Sequence, residues 1–253
     1  PFRFNISLYG GCDDTYRQMC GLPVYSQVKE NIRALRKAGI DVSLNLSITP
    51  YNRNDLEKIY ADAVELDVNV KGSSYMYPPI RINGGDYGCG NRLSAEDSAA
   101  CSVAWDRLRF TPEQFALRAE NMAKLVNKDQ DGCPVEEGEG VRCRAGSTSF
   151  WLTWDGKMTA CGMIDFPMVV YPFAEDFGDC WRKLTECVRS TPVLKGCAGC
   201  SKREICNPCV AMIYGETGTV DERSAYMCQL ADSVLDSMKL QLEEIEHAER
   251  SQG

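Results

Sequence analysis

The sequence predicts an α/β chain in two parts. Parallel strand–helix units come first, as part of a sheet or barrel, and a cysteine-rich region with a β-hairpin and a long C-terminal helix follows. Three observations carry this reading. Short apolar segments alternate with segments of helical period over the first 76 residues. Ten of the fourteen cysteines fall between Cys133 and Cys228. Two short strand-like runs flank Asp155-Gly156, a hairpin signal.

Phe4 to Tyr9 reads as the first strand and stops at Gly10-Gly11. Val24, Val28, Ile32 and Leu35 recur at helical spacing, and that helix ends at Ala38-Gly39. Val42 to Ile48 alternates as a strand. Asn54 stands as N-cap of a second amphipathic helix carrying Leu56, Ile59, Tyr60, Ala63 and Leu66. A third strand runs from Val68 to Met76, halted by Pro78-Pro79. A parallel sheet covered on both faces needs more than three strands, so the unit reads as incomplete at its N-terminal edge.

Asn83 to Gly90 reads as a Gly-rich loop. Thr111-Pro112-Glu113-Gln114 combines a cap, a proline at the first helical position and a capping box, and Phe115, Ala119, Met122 and Val126 line the helix that follows. Asn127 to Gly140 is polar, acidic and Gly-rich, a linker between regions 1–126 and 141–253. In the second region Phe150 to Trp154 and Lys157 to Cys161 read as hairpin strands joined by a type I′ turn at Asp155-Gly156. Leu230, Val234, Met238, Leu242 and Ile245 mark one side of the terminal helix.

Composition narrows the chemistry. A net charge of −8 argues against nucleic acid as the main partner. No apolar run is long enough for a membrane span. One histidine, His247, stands beside fourteen cysteines, so the chemistry has to run through thiolates rather than imidazole. The first residues, PFRFNISL, lack a basic stretch followed by an apolar core. That predicts a reducing, cytoplasmic setting, where spaced cysteines bind metal or do redox work more often than they form disulfides.

The pattern that carries chemistry is Cys143, twelve residues, Gly156, four residues and Cys161. After a gap come Cys197-x2-Cys200-x5-Cys206-x2-Cys209 and, after eighteen intervening residues, Cys228. Two intervening residues let a tight turn aim both sulfurs at one metal, while backbone N–H groups offset thiolate charge. A zinc ribbon on the two close pairs is the plain reading. It leaves Cys143, Cys161 and Cys228 without a role, whereas seven thiolates suit two iron–sulfur clusters.

This pattern resembles the SPASM domain of radical S-adenosylmethionine (SAM) enzymes. Upstream, NISLYGGCDDTY, SLNLSITPYNRND and SYMYPPIR resemble the later strands of that family's partial (β/α)6 barrel. The resemblance implies the C-terminal part of such a barrel followed by a SPASM domain, together covering most of the chain. It implies one auxiliary [4Fe–4S] cluster on Cys197, Cys200, Cys206 and Cys228, and a second on Cys143, Cys161 and Cys209. Some relatives supply a fourth ligand from just upstream of the pattern, here Cys133, which otherwise is a linker thiol. Cys180 and Cys187 fall in the gap and read as ordinary buried thiols. Ser7 matches a family position that contacts the ribose of SAM, Arg17 an arginine that helps bind it, and Ile80 the adenine-contacting backbone of the last strand. In the plain readings Ser7 satisfies a strand-end backbone group and Arg17 is a solvated helix residue.

Two departures bear on activity. The defining CxxxCxxC motif is absent, Cys12 and Cys20 being the wrong distance apart. The expectation is therefore the C-terminal portion of a longer enzyme, with these 253 residues inactive by themselves. Sulfatase maturases also carry a catalytic aspartate directly after the second hairpin cysteine. Here Gly162 follows Cys161 and the nearest acid is Asp165, a base or a loop residue. The implied partners of the intact enzyme are a peptide or protein substrate and an electron donor such as flavodoxin or ferredoxin. The rival expectation is a non-catalytic, zinc-stabilised module that binds a peptide or protein.

Overall fold

The structure is a computed structural model and describes residues 3–78, 91–128, 141, 143–164, 168–171, 174–192, 194–198 and 200–252. The chain has a mixed α/β fold and divides into two compact units. The first takes Pro1–Met76, Gly88–Asn121 and Asp232–Gly253, and the second Tyr77–Tyr87 and Met122–Ala231.

The first unit is built on β1 (Arg3–Leu8), β2 (Asp41–Ser47) and β3 (Asn69–Ser73), parallel and adjacent in chain order. Leu8 pairs with Leu46 and Leu44 with Val70, so the even positions of all three strands share one face. That face is apolar. Leu8, Val42, Leu44, Leu46 and Val70 are buried with Ile32 of α2 (Tyr25–Lys37), Ile59 of α3 (Leu56–Glu65) and Trp105 of α4 (Ala95–Arg109). Gly72 is required here, because a Cβ would stand 2.7 Å from the Trp105 indole nitrogen. The odd positions are polar throughout: Arg3, Asn5 and Ser7, then Ser43, Asn45 and Ser47, then Asn69, Lys71 and Ser73. All are exposed except Ser43. A parallel sheet with one polar, open face is uncommon, since crossover helices normally bury both.

Three local details differ from the sequence reading. The N-cap of α3 is Asp55 rather than Asn54, and its carboxylate makes no cap bond. It instead accepts the Gly11 N–H at 2.8 Å and the Thr15 hydroxyl at 2.6 Å, tying the turn after β1 to α3. In the first unit two helices escaped the sequence reading, α1 (Asp13–Cys20) and α4. Of α1 only Thr15 and Tyr16 are buried, and the buried side of α4 includes polar Ser98 and Asp106 while Ala100 and Ala104 are exposed, so burial there does not follow hydrophobicity. The capping box on α5 (Pro112–Lys128) forms as expected: the Gln114 side chain accepts the Thr111 N–H at 3.0 Å, and the Thr111 hydroxyl accepts the Gln114 N–H at 3.3 Å.

The second unit holds a three-stranded antiparallel sheet, β4 (Trp151–Leu152), β5 (Lys157–Thr159) and β6 (Met168–Val170), the last unforeseen from sequence. The hairpin turn is not type I′. That turn needs positive φ at both central residues, and here only Gly156 has it, at 81°. The Gly156 N–H donates to the Thr153 carbonyl at 3.0 Å and the Thr153 N–H to Lys157 at 2.8 Å. The loop is one residue longer, with Trp154 and Asp155 central and Gly156 in the left-handed position. Met158 and Ala160 pack against Cys180, Leu184 and Val188 of α6 (Phe177–Arg189). Cys180 is thus buried as read, whereas Cys187 is exposed. Short helices α7 (Lys195–Ala198), α8 (Arg203–Cys206) and α9 (Val210–Thr217) follow, then α10 (Ala225–Gln252). Among the described residues no helix is long and apolar enough to cross a membrane.

Candidate metal centre

The hairpin sheet positions the first group of thiols. Cys161 directly follows buried Thr159 and Ala160, so packing of β5 on α6 sets its place. Cys143 enters a loop wound around the Arg144 carbonyl, which accepts the N–H groups of Ser147, Thr148 and Ser149 and both serine hydroxyls. Gly146 makes this loop possible: its φ is 66°, and a Cβ would stand 2.4 Å from a Val188 methyl. Each sulfur accepts a backbone N–H two residues on, Cys143 from Ala145 and Cys161 from Met163, both at 3.4 Å. Cys209 is the N-cap of α9. Burial raises its thiol pKa, the N–H groups of Ala211 and Met212 pull it down, and the charges of Cys143 and Cys161 push it up again.

These three thiols line one partly open pocket, walled otherwise by side chains such as Val141, Ile164, Val188 and Val210. The Tyr77 hydroxyl lies within electrostatic reach of the same sulfurs. Burial first, then Cys209, Cys161 and Cys143, push its pKa up to about 12.

The second group forms where the chain turns through α7 and α8 and returns in α10. Cys197 lies in α7, and the Cys200 N–H donates to its carbonyl at 3.3 Å. Cys206 ends α8, whose C-cap is Asn207 at φ 43°. That left-handed residue breaks the helix between Cys206 and Cys209, so the two thiols share no helical face. Ser224 caps α10, its hydroxyl accepting the Met227 N–H at 3.1 Å, and so fixes Cys228 in the first turn.

Burial pushes the Cys206 thiol up to about 12, and Cys228, Cys197 and Cys200 act in the same direction. Burial also raises Cys197; Arg223 and Arg203 oppose the rise, while Cys228 and Cys200 add to it. Arg223 donates from Nη2 to the Cys228 sulfur at 3.6 Å.

The seven thiols of the sequence pattern thus lie in two neighbourhoods, Cys143 with Cys161 and Cys209, and Cys197 with Cys200, Cys206 and Cys228. Among the described residues, no three His, Cys, Asp or Glu side chains close on one point as ligands of a single ion would.

Two of the other expected site residues lie in the first unit. Ser7 is exposed on the polar face of β1, beside Asn45 of β2. Arg17 is exposed on α1 and pairs with Asp14 at 2.6 Å. Ile80, Cys133 and Asp165 lie outside the described residues, as do the Asn83–Gly90 loop and most of the 127–140 linker.

Gly162, which follows Cys161, packs close to Trp151. A Cβ there would stand 3.0–3.2 Å from three atoms of the Trp151 ring. The sequence reading did not single out Tyr77, Trp151 or Arg223. The one available signal was the position of Arg223, five residues before Cys228.

Comparison with protein-family models, with curated proteins and with solved structures finds no match to this chain.

Proposed function

We propose that this chain is the C-terminal portion of a radical SAM/SPASM oxidoreductase that modifies a peptide or protein side chain by hydrogen abstraction. The observation that carries this reading is the partition of the seven thiols. Cys206 and Cys209, three residues apart, fall into different neighbourhoods, and Cys228 joins Cys206 across α9. A single zinc ribbon would gather both close pairs around one ion. The interleaved arrangement suits two auxiliary [4Fe–4S] clusters.

The donor set suits such groups. It consists of thiols, with backbone N–H donors at Cys143 and Cys161, a guanidinium at Cys228 and a mainly aliphatic wall around the first set. Cys197, Cys200, Cys206 and Cys228 would hold one cluster, and Cys143, Cys161 and Cys209 three corners of the other. Bound there, the clusters supply one-electron chemistry or help orient a substrate. The chain's own residues hold the ligands in place and offset their charge.

The first unit supports the same reading. Its parallel strands follow chain order, as in a singly wound barrel, and their polar face is the kind of surface a barrel turns inward toward a cofactor or substrate. SAM would meet that face at Ser7. The chain contains no CxxxCxxC motif, so these 253 residues alone are expected to be inactive.

Anaerobic reconstitution of this chain with iron and sulfide tests the proposal. About eight irons per chain, four per site, are expected. Two or fewer irons, with stoichiometric zinc, would make it a zinc-stabilised binding module instead.

A further inference from the structure

Arg223 occupies a seat that the cysteine loop is shaped to provide. It directly precedes Ser224, the cap of α10, so the helix start that places Cys228 also places Arg223. Its aliphatic stem lies flat on the backbone of Gly196 in α7. A Cβ at Gly196 would stand 2.7 Å from the arginine Cδ and 2.9 Å from its Cγ, so only glycine leaves room for this contact. Gly196 is the neighbour of Cys197. The arginine therefore joins the two chain segments that carry the first and last thiols of the set. From this seat Nη2 donates to the Cys228 sulfur at 3.6 Å, and the same guanidinium acts on Cys197 and Cys200.

A guanidinium keeps its charge at any ordinary pH. Placed against thiolate ligands, it favours whichever oxidation state carries more negative charge. Hydrogen bonds to sulfur and nearby charge are established levers on iron–sulfur potentials. We propose that Arg223 is a positioning residue that raises the reduction potential of the centre held by Cys197, Cys200, Cys206 and Cys228, its stem being seated by Gly196. The inference rests on the cluster reading of that set. Because the guanidinium is exposed, solvent screens it, and the expected effect is about tenfold in the reduction equilibrium, or ~59 mV for a one-electron couple.

The test is a redox titration of the reconstituted chain followed by electron paramagnetic resonance, on Arg223→Gln, Arg223→Lys and Gly196→Ala. Arg223→Gln is expected to keep the iron content and move one of two midpoints to more negative potential. Arg223→Lys should restore most of the shift, because the charge returns. Gly196→Ala, which unseats the stem and leaves the charge, should move the same midpoint by a smaller amount. Unchanged midpoints at unchanged iron content overturn the inference and leave the cluster reading intact. So does movement of both midpoints together, or loss of iron in Arg223→Lys, which would make Arg223 part of the scaffold. Failure of the unsubstituted chain to take up iron overturns the cluster reading and this inference with it.

Discussion

Cys206→Ser and Cys209→Ser, made singly and together, separate an interleaved pair of centres from a single ribbon. The two residues lie three apart, and in a ribbon built on the close pairs they are ligands of the same ion. In this structure Asn207, at φ 43°, ends α8 between them. Cys206 then interacts with Cys228, Cys197 and Cys200, and Cys209 with Cys143 and Cys161. Each single substitution is therefore expected to remove about four of about eight irons, and the double variant both sets. Each set should lose its own absorbance and paramagnetic signal independently of the other. Serine is nearly isosteric with cysteine and both positions are partly exposed, so the metal-free chain should lose only about 1 kcal/mol. Thermal melts of the metal-free variants verify that lost iron does not reflect unfolding. The reasoning fails if either single variant loses all its metal, or if the double variant loses no more than a single one.

Two further outcomes follow from the packing. Burial alone would raise the pKa of Asp62, but hydrogen bonds from Lys29 and Lys58, each at 2.7 Å, and from Tyr25 outweigh it and hold the carboxyl below its usual 3.8. With the folded value depressed, the stabilisation is present above the unfolded value and is lost as pH falls through the lower folded one; Asp62→Asn should cost about 2 kcal/mol in urea unfolding at pH 7, discounted for the half-exposed Lys58, and less once the pH has fallen below the folded value. Gly162→Ala should displace the Trp151 ring, seen as a shift of its indole N–H resonance, yet cost under about 1 kcal/mol because that residue is 59% exposed and can move away.

Much of the first unit was legible in the sequence because its strands and two of its helices each bury one face. Leu44 and Leu46, or Val28 and Ile32, show in the spacing which side meets the core. The elements that escaped had no such face. In α1 the run DDTYRQMC buries two residues, and α4 buries Ser98 and Asp106 while exposing Ala100 and Ala104, so its buried side carries no apolar period. Asn54 and Asp55 are equally good caps on paper. The structure uses Asp55 because its carboxylate is engaged by Gly11 and Thr15, more than forty and exactly forty residues back. Positive φ at Gly156 was legible from the hairpin, but the turn type was not, because it depends on which residues pair across the strands.

The sequence by itself determined which atoms are available: fourteen thiols, one imidazole and a spacing that makes close turns at Cys197–Cys200 and Cys206–Cys209. Such spacing is local information, carried by a few backbone angles. Only the tertiary structure decided how the thiols divide. Cys206 meets Cys228 because α9 and a capped α10 bring the chain back, and Cys209 meets Cys143 and Cys161 because the hairpin packs on α6. The same holds for Arg223, an unremarkable surface arginine in the sequence. Gly196 leaves the space for it, and it reaches Cys228 in the structure. Partition between two sites is a property of long-range contacts, and the spacing of the close pairs taken alone leaves one ribbon and two sites equally open.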